Sequence, residues 1–291
     1  MKNYFIYLKK FILASRYNKP HGILFLFYPC LWGICLSTQN ILDVYHLCII
    51  FFLGACGMRS IGCIWNDLSD KKIDILVKRT SKRLIANGIV TKSEAIIFIF
   101  INFLLGSIPL FFISKFSIAL CLIALPLIVS YPFMKRITWW PQLWLGINFN
   151  WGVFVGYYAL TNFNADYSLL LFYFGCIFWT IAYDTLYGFQ DIKDDEKIGV
   201  KSTSIKFKKT PKVFLISNYM MCFVFWIISF SIIMVDILFL LLFCILFLSI
   251  IIITIKTKLN DPLSCENSFK YNSYFGFFTS LLLIYWNIIL T

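Results

Sequence analysis

The sequence predicts an all-α integral membrane protein with about nine transmembrane helices in a single domain. Of its 291 residues, 60% are hydrophobic and only 14% are charged, whereas soluble domains typically contain roughly 45–50% apolar and about 25% charged residues. Aromatic residues alone make up 20% of the chain. A water-soluble globule of this size could not bury so much apolar surface, which excludes a cytosolic enzyme, a disordered chain and a secreted disulfide scaffold.

Nine apolar stretches follow one another along the chain, and each is near the roughly 20 residues that a membrane-spanning helix needs. No soluble insert separates them, so residues 1–291 are predicted to form one membrane domain. Proline and glycine inside several stretches are compatible with membrane helices, where neighbouring groups satisfy the freed backbone. The predicted spans are 22–38, 43–65, 94–114, 117–134, 142–161, 167–189, 212–234, 236–255 and 271–290.

The segment 1–21 comes before the first predicted span and contains five Lys or Arg residues. It lacks the long apolar core and small-residue cleavage site of a signal peptide. Its amphipathic character instead predicts a helix that lies along the membrane surface.

Basic residues lie almost entirely on one side of this predicted topology. If the chain crosses the membrane at each stretch, 24 of its 26 Lys and Arg residues share the side of the N-terminus. Cytoplasmic loops collect Lys and Arg, so segments 1–21, 66–93 and 190–211 are predicted to be cytoplasmic. The net charge of +12 therefore reflects topology, and no nucleic-acid partner is expected.

Two rows of acidic residues stand at the cytoplasmic ends of predicted spans. At 3.6 residues per turn, Asn66, Asp70 and Asp74 would share one helix face, with Asp67 beside them. Asp184, Asp191 and Asp195 follow spacings of seven and four, which again predicts one face. Like charges at such spacings repel, so the rows are costly unless a cation neutralises them.

Magnesium is the cation that such a site favours, because Mg²⁺ is usually bound by a few carboxylates together with substrate phosphates. Solvated helix ends are the alternative interpretation, but two aligned rows on the same side favour a Mg²⁺–diphosphate site. Neighbouring bases would complement the phosphate oxygens: Lys71, Lys72, Arg79, Lys82, Arg83, Lys135, Arg136 and Lys201. The ten cysteines contain no CxxC pair, so neither a zinc site nor a disulfide framework is predicted.

These motifs resemble the UbiA superfamily of membrane prenyltransferases. The segment 66–74 matches its first motif, NDxxDxxxD, and Asp191 and Asp195 match its second, DxxxD. The stretches RYNKPHGILFLFYP, YPFMKRITWWPQLWLG and YDTLYGFQDIKDDEKIGVKST are similar to the 4-hydroxybenzoate polyprenyltransferase branch. The resemblance covers residues from about 16 to 205. Leu84 and Lys208 depart from it, since the branch usually has Pro and Gly at those positions.

The resemblance implies a UbiA-type helical bundle with a central cavity and a set of site residues. Mg²⁺ would be held by Asn66, Asp70, Asp191 and Asp195. The catalytic group would comprise Asp67, Arg79, Lys135 and Asp191, with Asp67 supporting the metal shell or positioning bases and Asp191 assisting the acceptor's phenol. The substrate-binding group would comprise Asp74, Arg79, Tyr131, Lys135 and Arg136, with Arg136 facing the acceptor's carboxylate.

The function implied by the resemblance is Mg²⁺-dependent prenyl transfer in ubiquinone biosynthesis. A polyprenyl group would pass from polyprenyl diphosphate to the ring of 4-hydroxybenzoate, ortho to the hydroxyl, at an active site open to the lipid bilayer. No obligate protein partner is expected. A bacterial inner membrane is favoured over a mitochondrial one, because no Arg/Ser-rich presequence is evident.

Two alternatives remain at this point. The same reaction could use another acceptor, such as haem, a naphthoate, a chlorophyllide or homogentisate. A membrane transporter is the alternative from a different class, and it predicts acids through the membrane depth with broken helices at the midplane. The acids here gather at one face, which favours the metal–diphosphate site.

Overall fold

A computed structural model describes residues 2–38, 40–164, 166–233 and 236–290, and these form helices without strands. A short 3₁₀ helix, Ile108–Phe111, follows the fifth α-helix. The α-helices are α1 (Lys2–Ala14), α2 (Pro20–Ser37), α3 (Ile41–Ser69), α4 (Lys71–Asp74), α5 (Lys92–Gly106), α6 (Lys115–Ile137), α7 (Pro141–Asn150), α8 (Gly152–Tyr157), α9 (Tyr167–Gly188), α10 (Ile192–Ile198), α11 (Thr203–Lys206), α12 (Pro211–Ile233), α13 (Ile237–Lys256) and α14 (Pro262–Leu290).

Within the described residues, seven helical segments are long and apolar enough to cross a membrane. They are α2, α3, α5 with the 3₁₀ helix, α6, α9, α12 and α13. The predicted span 142–161 is divided between α7 and α8, and 271–290 lies within α14, which also includes Glu266 and Lys270. The all-α membrane fold is confirmed, and the count of nine spans stays a prediction.

The stretch 142–161 divides at Trp151, next to two side-chain amides that bond to other helices. The Trp151 N–H donates to the Asn148 carbonyl three residues earlier, at 3.3 Å. The Asn148 amide donates to the Leu127 carbonyl of α6, and the Asn150 amide donates to the Cys176 carbonyl of α9. Polar side chains in membrane helices commonly bond across helices in this way, so α7 is anchored to both α6 and α9.

The N-terminal segment forms the predicted amphipathic helix, α1. Phe5, Ile6 and Leu8 are exposed, whereas Tyr7 and Phe11 make edge-on contacts with Phe98 of α5. Exposed aromatic and aliphatic side chains on one side of a helix are typical of an interfacial segment. The position of α1 along the membrane surface stays a prediction.

Three fully buried tryptophans tie α2, α9 and α12 together. The ring centroid of Trp32 lies 5.3 Å from that of Trp179 and 5.2 Å from that of Trp226. Each indole N–H has a partner: Trp32 bonds to Ser280, Trp179 to Asn272 and Trp226 to the Phe172 carbonyl. Aromatic pairs add energy beyond area burial, so this core fixes two helices, α2 and α9, that contribute to the central chamber.

Glycine lets α8 pack directly on α2. A Cβ atom on Gly156 would lie 2.1 Å from the Cys30 carbonyl oxygen, and one on Gly33 would lie 2.1 Å from the Val153 carbonyl oxygen. Neither position could hold a larger residue without separating the helices. Together with α3, α6, α9 and α14, this pair encloses a central chamber of about 490 Å³.

The acidic rows do not lie on continuous helices, so that prediction was wrong. The helix α3 ends at Ser69, and the Ile73 N–H returns to the Asp70 carbonyl at 2.8 Å. Likewise α9 ends at Gly188, and Asp191 precedes the separate short helix α10. In the first row, four-residue backbone bonds remain on both sides of the break, since the Asp70 N–H donates to the Asn66 carbonyl at 2.9 Å and the Asp74 N–H donates to the Asp70 carbonyl at 2.8 Å.

Candidate active site

A small polar cavity of about 180 Å³ adjoins the central chamber. Both cavities are lined by Asn66, Arg79, Arg83, Tyr131, Pro132 and Asp184. The small cavity also has Asp191, Asp195, Lys135 and Lys201 in its wall. Beyond the shared wall, the chamber is bordered mainly by apolar side chains of α3, α6 and α8. Charged groups therefore meet an apolar volume at one end of the bundle.

The carboxylates of the first motif are buried and paired. Asp67, Asp70 and Asp74 expose at most 4% of their surface. Arg83 donates to Asp67 at 3.0 Å and to Asp74 at 2.7 Å, and Arg16 also donates to Asp67. Burial raises the pKa of Asp74, and the charge of Arg83 opposes that rise. Pairing is needed because a buried unpaired carboxylate is very costly.

Asp70 binds two consecutive bases at the end of α6. Lys135 Nζ lies 2.6 Å from Asp70 Oδ2, and Arg136 Nη2 lies 3.1 Å from Asp70 Oδ1 and 2.8 Å from the Ser69 carbonyl oxygen. Asp70 and Arg136 do not belong to the residues that line either cavity. The geometry thus gives Arg136 an anchoring contact, and its assignment to the acceptor carboxylate stays a prediction without structural support.

The second motif faces the first through Arg79. Its Nε lies 2.9 Å from both oxygens of Asp191, and Nη2 also donates to that carboxylate. Arg79 Nη1 donates to the Tyr187 hydroxyl at 2.9 Å, with its guanidinium 5.1 Å from the ring centroid. The backbone N–H of Lys78 donates to Asp194 at 3.1 Å. These contacts join the two motif loops across the polar cavity.

The donor set fits a magnesium ion. Asn66, Asp191 and Asp195 line the same cavity, and their oxygens are the ligand type that Mg²⁺ prefers. Burial and the charge of Asp191 raise the pKa of Asp195 to about 6, a cost that a bound cation would relieve. Among the described residues, no three His, Cys, Asp or Glu side chains form a metal-binding group. A Mg²⁺ ion held by Asn66, Asp191 and Asp195 would take its other ligands from substrate phosphates and water.

The remaining predicted site residues lie where a diphosphate could reach them. Tyr131 lines both cavities, and Lys135 lines the polar one while it also holds Asp70. Their roles stay predictions. The sequence did not predict two hydrogen bonds of the site, from Arg79 to the Tyr187 hydroxyl and from Arg16 to Asp67. The residues of these pairs are 108 and 51 positions apart, so no local spacing pattern could have indicated them.

Replacing Arg83 with alanine should destabilise the protein by about 3–5 kcal/mol, because it leaves the buried carboxylates of Asp67 and Asp74 short of a partner. The pKa of Asp74, already raised by burial, would rise further. Part of the lost stability should therefore return as the pH falls and the carboxyl becomes protonated. Thermal unfolding in detergent across pH would measure this effect. Lys82→Ala is the control, and an equal loss there would contradict the explanation.

Comparisons with known proteins agree with this geometry. The model of the UbiA prenyltransferase family matches residues 26–282. The chain belongs to this family. It is 40% identical over 207 residues to the 4-hydroxybenzoate octaprenyltransferase of Aliivibrio salmonicida, covering 71% of this chain and 72% of that protein. It is also 40% identical over 213 residues to the mitochondrial 4-hydroxybenzoate polyprenyltransferase of Dictyostelium discoideum, covering 72% of this chain and 45% of that protein.

Solved structures of UbiA homologues share the fold. The apo structure from Aeropyrum pernix K1 has a TM-score of 0.69 at 19% identity, covering 93% of this chain and 97% of that one. A homologue from Archaeoglobus fulgidus bound to GPP and Mg²⁺ has a TM-score of 0.66 at 17% identity, covering 94% and 99%. Family membership and the apolar helices together make this UbiA protein an integral membrane protein.

Proposed function

We propose that this protein transfers a polyprenyl group from polyprenyl diphosphate to 4-hydroxybenzoate, at the ring carbon ortho to the hydroxyl, in ubiquinone biosynthesis. The observation that carries the proposal is the junction between a polar cavity walled by carboxylates and bases and a larger apolar chamber. A polyprenyl diphosphate has the same division into a charged head and an apolar tail. The relatives named for this activity are up to 40% identical to the chain.

The bases of the polar cavity bind the diphosphate. Arg79, Lys135 and Tyr131 direct N–H and O–H donors toward its oxygens, where negative charge grows as the allylic C–O bond breaks. Asn66, Asp191 and Asp195, which line the polar cavity, would hold Mg²⁺, which adds positive charge next to the leaving diphosphate. Asp70, the fourth predicted ligand, lines neither cavity and pairs with Lys135 and Arg136, so it would have to give up those partners to join them. Asp67 and Asp74 hold Arg83 in place at the wall shared with the chamber. The protein thus stabilises the leaving group mainly by electrostatics.

The chamber protects the reactive carbon and admits the acceptor. Its apolar wall keeps water from the allylic cation, and aromatic faces such as those of Phe149 and Trp151 attract positive charge. The ring carbon ortho to the phenol hydroxyl bonds to the allylic carbon, and loss of the ring proton restores aromaticity. Asp191 is the carboxylate assigned to assist the phenol.

Residues 1–291 are proposed to form one membrane domain in a bacterial inner membrane. The motif loops, 66–93 and 190–211, would lie on the cytoplasmic side. The distribution of Lys and Arg along the chain supports this orientation, because 24 of the 26 fall on the side that carries both motif loops.

Membranes containing the full chain should convert 4-hydroxybenzoate and a polyprenyl diphosphate to the ring-prenylated acid in the presence of Mg²⁺. The product is measured by chromatography and mass spectrometry, with EDTA-treated membranes and membranes without the protein as controls. Parallel reactions with homogentisate and a dihydroxynaphthoate test the acceptor. Absence of product, or product that persists in EDTA, would overturn the proposed mechanism, and product only with another acceptor would overturn the proposed substrate.

A further inference from the structure

The elbow between α1 and α2, residues 15–19, holds a basic side chain in an unusual backbone conformation. Arg16 has a φ of 56°, and it is the one non-glycine residue with positive φ in the part of the chain that the structure describes. Residues other than glycine pay a steric cost in this left-handed region. Such a conformation persists only where surrounding contacts determine it, and it often accompanies function.

A buried amide of α5 supplies those contacts on both sides of Arg16. The Tyr17 hydroxyl donates to Asn102 Oδ1 at 2.6 Å, and Asn102 Nδ2 donates to Ser15 Oγ at 3.0 Å and to the Phe98 carbonyl at 2.8 Å. Asn102 is fully buried in an otherwise apolar helix. An amide in that setting is costly unless it is hydrogen-bonded, so Asn102 and the elbow hold each other in place.

A second helix contributes to the same clamp. The Ser60 hydroxyl of α3 lies 3.0 Å from the Ser15 carbonyl oxygen and 2.7 Å from the Cys56 carbonyl oxygen of its own helix, so its one proton is shared between them. The glycine at position 57 makes this arrangement possible, because a Cβ atom there would lie 2.4 Å from the Asn102 carbonyl oxygen. The elbow is therefore fixed to α3 and α5 at the residue directly before Arg16.

The clamp places the Arg16 guanidinium in the wall of the chamber. Arg16 donates to Asp67 through Nη2, which is the one hydrogen bond of its guanidinium to residues 2–38, 40–164, 166–233 and 236–290. The side chain lines the chamber together with Asn66, Arg79 and Arg83. Free donors of a guanidinium beside other bases form a favourable site for phosphate oxygens, which Arg binds through paired N–H groups.

We propose that Arg16 is a further diphosphate-binding residue, and that Asn102 is a positioning residue that acts on it through Ser15 and Tyr17. This inference rests on the proposed prenyl transfer. Asp67 then serves as the anchor that directs Arg16 toward the substrate, rather than as a metal ligand. Loss of the Asn102 contacts frees the elbow, and Arg16 leaves the conformation in which it lines the chamber.

The test measures initial rates against polyprenyl diphosphate concentration at saturating 4-hydroxybenzoate and Mg²⁺, with the full-length protein in membranes. Arg16→Gln should raise the KM for the diphosphate roughly tenfold or more, as expected for a lost hydrogen bond to a charged group. The KM for 4-hydroxybenzoate should stay within about twofold, the experimental scatter expected when no binding contact is lost. Arg16→Lys should recover part of the affinity. Lys10→Gln is the matched control, since Lys10 pairs with Glu94 on the outside of the bundle.

The positioning role has its own readout. Tyr17→Phe and Asn102→Ala should each raise the same KM, whereas Tyr7→Phe should not. Combining Asn102→Ala with Arg16→Gln should add little to Arg16→Gln alone, because both changes remove one interaction. An unchanged KM in Arg16→Gln, or additive effects in the double variant, would overturn the inference while wild-type activity stands. A wild-type protein without activity would instead overturn the proposed function.

Discussion

Replacing Asp191 with alanine should lower turnover by roughly a hundredfold or more while the protein remains in the membrane. The carboxylate holds Arg79 through both of its oxygens and lines the polar cavity. Its loss removes a proposed Mg²⁺ ligand and releases a base that the diphosphate needs. The measurement is prenylation of 4-hydroxybenzoate per mole of membrane-bound protein, at several Mg²⁺ concentrations.

The control for this change is Glu196→Ala on α10, the short helix that directly follows Asp191. Glu196 pairs with Lys208 at 2.7 Å, with both side chains more than a third exposed, and surface ion pairs of this kind contribute little. Its turnover should match that of the wild type. Turnover in Asp191→Ala at the wild-type rate would show that this carboxylate neither binds the metal nor positions Arg79.

Replacing Ala124 with phenylalanine should make the protein selective for short prenyl chains. Ala124 lies on α6, is nearly buried and lines the apolar part of the chamber. A larger side chain there occupies space that a long tail would use, so kcat/KM for the long substrate should fall by roughly tenfold, which corresponds to about 1.4 kcal/mol. Competition between geranyl diphosphate and a long polyprenyl diphosphate, with mass detection of both products, measures the change.

Leu122→Phe provides the matched control, because Leu122 is on the same helix but 60% exposed on the outer surface. It should leave the preference between the two substrates unchanged. An equal decrease for both substrates in Ala124→Phe would mean that the prenyl tail does not pass this residue.

Motif spacing identified residues of the site correctly but did not predict the backbone structure that carries them. Asn66, Asp191 and Asp195 were chosen from motif spacing, and they line one cavity. Asp70 and Asp74 are one helical turn apart, since the Asp74 N–H donates to the Asp70 carbonyl at 2.8 Å. The assumption of one continuous helix was wrong, because α3 ends before Asp70 and Asp74 belongs to α4. Spacing rules treat a helix as continuous. They therefore do not register the interruption at Asp70, between the end of α3 and the start of α4.

The span 142–161 shows that hydropathy has the same limit as motif spacing, because neither registers contacts between distant residues. Its composition predicts one helix, but Asn148 and Asn150 bond to backbone carbonyls of α6 and α9. These partners lie 21 and 26 residues away, so a hydropathy window cannot register them. The backbone pattern changes directly after these two asparagines, at Trp151, whose N–H donates to the carbonyl three residues earlier.

Composition and local spacing were sufficient to establish membrane character, the end of the bundle that carries the acids, and the chemical types at the site. Those properties follow from the transfer of apolar side chains out of water and from repulsion between neighbouring carboxylates. Both effects act within each segment separately. The pairing of bases with acids depended on packing, since Arg79 and Asp191 are 112 residues apart. The same holds for the elbow at Arg16, whose left-handed backbone is held by an amide 85 residues beyond Tyr17. Only close contact between helices can stabilise such an arrangement.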